Sequence, residues 1–113
     1  MMKIEINTGT SYGDLALVQL LLSAPDVEVY EVELNTNSYL PDYDASSTEW
    51  PLIIRCNSNK RDAREFEVRV FDVTSGYLGA GPQDLVGCLK ATGVDFDEEE
   101  IYSSKRIQKK YHK

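Results

Sequence analysis

Apolar residues recur along this chain with a period of two, then about 3.6, then two, then as a short nearly continuous run, then two and about 3.6 again, and that succession restricts the fold more than any other property. In residues 3–7, Ile4 and Ile6 oppose Lys3 and Glu5, the pattern of a half-buried strand. Thr8, Gly9, Thr10 and Ser11 then supply turn and N-cap chemistry, and Asp14 sits where a helix dipole favours an anion. The apolar run that follows predicts a helix to about Ser23, ended by Pro25. Leu15, Leu17, Val18, Leu20, Leu21 and Leu22 cover most of its circumference, so the pattern predicts a central core helix buried on more than one side.

Residues 27–34 place Glu28, Tyr30, Val32 and Leu34 on one parity and Val27, Val29, Glu31 and Glu33 on the other, a strand whose outward face becomes acidic. Residues 52–56 and 65–70 read as a hairpin, joined by a loop holding Lys60, Arg61 and Arg64 as solvated charge. In residues 83–92, Leu85, Val86 and Leu89 share a helical face, with Pro82 suited to the first helical position and Gly93 to the stop. For residues 94–113 two readings stand: a last strand at 98–102, or a helix capped by Asp97 in which Ile101, Ile107 and Tyr111 touch the body. The expectation is a short structured segment followed by a mobile basic tail.

This order predicts an α+β fold, a mainly antiparallel sheet of four or five strands with two helices packed on one face; a ferredoxin-like variant is one compatible topology. The 113 residues suffice for one core, so residues 1–104 are read as a single domain and 105–113 as its tail. No apolar run is long enough to span a bilayer and no secretory signal is visible, which suggests the cytoplasm. Cys56 and Cys88 lack a CxxC spacing and suit buried, reduced core positions.

Side chains for catalysis are scarce. His112 is the one histidine, at the end of a Lys-rich stretch, so neither cysteine has an evident base. Asp42 with Asp44, and Asp97 with Glu98 to Glu100, lack the alternating ligand pattern of a calcium loop. The turn at 76–82 has no third glycine at the dinucleotide spacing and no P-loop lysine, and Asp84 stands where a phosphate would sit. The expectation is a protein that is not an enzyme, with no catalytic residues, no cofactor and no metal.

Charge then selects a partner. All 19 Asp and Glu precede Lys105, giving residues 1–104 a net of −12, and residues 105–113 carry +5. Such a body repels nucleic acid and anionic lipid and attracts a basic protein surface. Lys105, Arg106, Lys109, Lys110 and Lys113 have no apolar face beside them and are read as a solvated terminus, balanced by the acids at 97–100. Residues 35–50 form a long aperiodic connection mixing Tyr39, Tyr43 and Trp50 with Asn, Ser, Thr and the acids Asp42, Asp44 and Glu49, the composition of a recognition loop. The expected partner-binding residues are Glu31, Glu33, Tyr39, Asp42, Tyr43, Asp44, Glu49 and Trp50. The alternative is that Trp50 anchors the loop on the core while the tyrosines cover sheet edges.

The segment Gly76-Tyr77-Leu78-Gly79-Ala80-Gly81-Pro82-Gln83-Asp84-Leu85, leading into an amphipathic helix, together with the size and charge, resembles the small acidic immunity proteins of bacterial toxin systems, including those of contact-dependent growth inhibition. The resemblance implies a basic partner such as a nuclease toxin domain, its cleft occluded by carboxylates standing in for phosphates. Two other readings remain: an accessory or regulatory binding protein of phage or bacterial origin, and a small-ligand binder or enzyme using the turn at 76–82.

Overall fold

The computed structural model describes residues 2–38, 50–58 and 64–113. Its elements run β1 (Met2–Ile6), α1 (Ser11–Leu22), β2 (Val27–Asn37), β3 (Leu52–Ser58), β4 (Glu65–Val70), α2 (Ala80–Thr92), α3 (Glu98–Ser103) and β5 (Arg106–His112). The five strands form one sheet in the order β1-β4-β3-β2-β5. β1 pairs parallel with β4 and every other pairing is antiparallel, so the chain has the α+β fold that its periodicity predicts. The ferredoxin-like topology does not hold, because there the first strand lies inside the sheet and here β1 is an edge.

One face of the sheet is apolar. Val32 and Leu34 of β2 stand opposite Ile54 and Leu52 of β3, and those stand opposite Val68 and Val70 of β4, all buried. Leu85 and Leu89 of α2, Val18 of α1 and Ile101 of α3 complete the core. α1 and α2 both start at the end of the sheet where β1 and β4 finish. Thr10 caps α1 by accepting from the Gly13 N–H at 3.0 Å, and a Cβ at Gly87 would come within 2.9 Å of Leu15, so Gly87 lets the two helices approach closely.

β2 departs from the strict alternation expected of it. A bulge between Val29 and Glu31 changes the phase, so that Val29 joins Val32 and Leu34 on the core face, while Tyr30 and Glu31 turn outward together. The extra residue reconciles two apolar pairs of opposite parity, Val27 with Val29 and Val32 with Leu34.

Two further expectations are corrected. Residues 106–112 are not a mobile tail: they form β5, paired with β2 along its length from Glu31–His112 to Asn37–Arg106. Ile107 is buried and its N–H donates to Thr36 Oγ1 at 3.2 Å, contacts the lysines around it conceal in the sequence. The second is α1, which is not a central core helix. The sheet and α2 cover two sides of it, leaving only Asp14 and Val18 fully buried. Of the two readings of 98–102, the helix is the one observed, with Asp97 Oδ1 accepting from the Glu99 N–H at 3.1 Å, but it ends at Ser103, and Ile107 and Tyr111 belong to β5 instead.

Candidate functional site

The sheet face away from the helices carries Glu31 and Glu33, two of the expected binding residues. Arg55 of β3 lies between them, 2.6 Å from Glu31, 3.0 Å from Glu33 and 3.2 Å from Glu67, and Arg69 holds the other oxygen of Glu67 at 3.2 Å. Burial works against the Arg55 charge, yet its hydrogen bonds and attraction to Glu33 and Glu31 prevail and raise its pKa. By strand register this face bears Glu5, Glu28, Glu31, Glu33, Glu65 and Glu67 against Lys3, Arg55, Arg69, Arg106 and Lys110. It is therefore nearly neutral, and almost all of the net charge of −7 lies elsewhere.

Trp50 is half-buried, its ring edge-on to Phe71 with centroids 5.8 Å apart. Tyr39, Asp42, Tyr43, Asp44 and Glu49 lie outside the described residues. So do Lys60 and Arg61 of the basic loop, while Arg64 is exposed.

A cluster of carboxyls sits where β1 and β4 end, the crevice in which parallel strands commonly bind ligands. Here it is consumed internally. Asp14, fully buried, accepts from Thr8 N at 2.9 Å, Thr8 Oγ1 at 2.6 Å and Asp72 N at 2.8 Å, while Asp72 accepts from Gly9 N at 3.0 Å. Ser11 donates to Asp84 at 2.6 Å, tying the starts of α1 and α2 together. The glycines of the 76–82 turn have a local cause as well: the Tyr77 hydroxyl lies 2.9 Å from Thr74 Oγ1, and a Cβ at Gly79 would press within 2.8 Å of the Tyr77 ring. Gly79 and Gly81 make room for that tyrosine, whereas Gly76, at φ +90°, makes room for Lys105.

Burial, then the hydrogen bond with the Asp14 carboxyl, raises the pKa of Asp72. A raised folded-state pKa contributes stability that is fully present below the ordinary Asp value of about 3.9 and is lost as pH rises through the folded value. Asp72→Asn can donate to Asp14 and still accept from Gly9. It is expected to melt higher than the wild type at pH 7, with the gap closing on acidification; an equal or lower melting temperature at pH 7 contradicts this reading.

Cys56 and Cys88 are free and buried, and burial pushes both thiols up to about 12, far from the thiolate that nucleophilic attack requires. His112 is exposed, with Nδ1 3.8 Å from Glu31. Among the described residues no three His, Cys, Asp or Glu side chains are placed to hold a metal ion, and no helix is long and apolar enough to cross a membrane.

The surface that sequence reasoning missed is the outer side of α1. Asp14, Val18 and Leu21 point inward and Leu15 packs over Gly87, which leaves Tyr12 74% exposed, Leu20 68% and Leu17 40%, with Ala16 and Gln19 exposed among them. No residue from 15 to 25 is ionisable, and the one acid within the helix is the buried Asp14. Leu78, 87% exposed, lies just before α2, at the end where Ser11 joins Asp84. The available signal was the excess of leucine: a helix lying on one side of a single sheet needs one apolar stripe, and this one is apolar nearly all round. No protein-family model, curated protein or solved structure matches the chain.

Proposed function

We propose that this chain is a non-catalytic protein-binding domain. The observation that carries the reading is the uncharged apolar outer face of α1: an apolar surface presented on one side of a helix marks a place where protein meets protein. The carboxyls at the ends of β1 and β4 are occupied by internal hydrogen bonds and the thiols are held protonated, which supports a binding role over a catalytic one.

The partner selected by charge is a basic protein. Among the described residues the excess acid lies off the outer sheet face, including the exposed Asp95, Asp97, Glu98 and Glu99. Opposite charge on a partner raises the association rate and selects against acidic competitors. In its most concrete form the reading is a cytoplasmic immunity protein that occludes the substrate cleft of a nuclease toxin.

The test is titration against a basic nuclease domain, the first choice being one encoded beside the chain where such a gene is found. The expected results are a stoichiometric complex, loss of nuclease activity, and association that slows as salt is raised. Full nuclease activity in the presence of excess chain overturns the immunity reading, and absence of any complex overturns the basic-partner reading with it.

A further inference from the structure

We infer that the outer face of α1 is covered by a second copy of this chain, the two α1 helices crossing antiparallel at Ala16. The inference rests on the reading of this face as a protein-contact surface and names its occupant. Tyr12, Ala16 and Leu20 are spaced four apart, so they form a single ridge along the exposed side of the helix, with the small residue in the middle. A two-fold axis through Ala16 sets alanine against alanine, where backbones approach most closely, and brings Tyr12 of each copy beside Leu20 of the other. That ridge is self-complementary, as an isologous contact requires.

Charge chooses between occupants. Each copy carries a net charge of −7, so two copies can meet closely only where neither presents a carboxylate, and residues 15–25 offer such a surface. A basic partner gains nothing from this particular face, because Asp14 points inward and is saturated by Thr8 and Asp72. Antiparallel crossing also opposes the two helix dipoles favourably. The exposed Asp95, Asp97, Glu98 and Glu99 lie outside α1, so self-association and binding of a basic protein are compatible.

Area sets the strength. A 12-residue helix is about 18 Å long, and one exposed side of it buries on the order of 400 Å² per copy, about half of what a tight interface uses. The dimer is accordingly weak and reversible.

Sedimentation equilibrium of the purified chain from micromolar to millimolar concentration tests this. The expected result is a monomer–dimer equilibrium that shifts toward dimer with added salt, because salt screens the repulsion between the copies. Leu20→Glu is expected to weaken dimerisation at least about tenfold while leaving the melting temperature within a few degrees, since Leu20 is exposed in the monomer; Leu20→Met should retain it. A wild-type chain that stays monomeric at millimolar concentration overturns the inference, as does Leu20→Glu that dimerises as well as the wild type. If the chain is monomeric and Leu20→Glu instead weakens the complex with the toxin domain, the face belongs to that partner and only the second-copy assignment falls. If Leu20→Glu changes neither association, the reading of α1 as a contact surface falls too.

Discussion

A chain ending at Ser104 is expected to lose its cooperative fold, although the residues removed look in the sequence like a solvated basic tail. β5 supplies the outer pairing of β2 from Glu31 to Asn37. It also brings Ile107 into the core beside Thr36, whose hydroxyl accepts from Ile107 N and lies 2.7 Å from Ser75 Oγ. Ser38 N donates to Lys105 O at 2.7 Å, and Lys109 meets both oxygens of Glu100 at 2.8 Å. Burial of an Ile side chain contributes about 1.5–3 kcal/mol, so losing Ile107, the packing of half-buried Tyr111 and the β2 pairing together removes a large part of the roughly 5–15 kcal/mol available to a domain. The cut also uncovers the β2 edge, a template for aggregation that the lysines of β5 otherwise guard. Circular dichroism and a thermal melt decide the matter: a truncated chain that keeps the wild-type spectrum and melting temperature contradicts the role assigned to β5.

Arg55→Ala is expected to be the most destabilising single substitution on the outer sheet face. It strands Glu31, Glu33 and Glu67 around a missing cation; among the described residues Arg69 still meets one oxygen of Glu67 and His112 lies 3.8 Å from Glu31. Removing one partner from a buried ion pair costs about 3–5 kcal/mol, and because these side chains keep 10–30% exposure the expected loss is about 2–3 kcal/mol. Urea unfolding at pH 7 checks this; a loss below about 0.5 kcal/mol, in the range of a neutral surface change, would show the network to be incidental.

The strands were largely legible because one face of each is buried and the other wet. In β4, Phe66, Val68 and Val70 alternate with Glu65, Glu67 and Arg69, and the register uses that alternation directly. β2 was legible as a strand but not as a bulged one, although its apolar residues change parity midway. The pattern of β2 shows Glu31 and Glu33 facing outward, but not that their charge is paired, because Arg55, more than twenty residues away, cannot be placed beside them by local pattern. β5 was hidden by its position at an edge, where only Ile107 is buried and the intervening lysines face water. α1 misled in the opposite direction. Its leucines report apolarity without saying what covers them, and the neighbours that leave Tyr12 and Leu20 exposed are set by the crossing from β1 to β2.

The central claim, that this chain meets other protein through the outer face of α1, is tested most directly by nuclear magnetic resonance on the isotopically labelled chain as its concentration is raised from micromolar to millimolar. The expected result is a concentration-dependent shift confined to Tyr12, Ala16, Leu17, Leu20 and their neighbours, with Arg55 and Arg69 on the outer sheet face unmoved. Shifts centred on the sheet face, or none anywhere over that range and none in α1 when the basic toxin domain is added, contradict it.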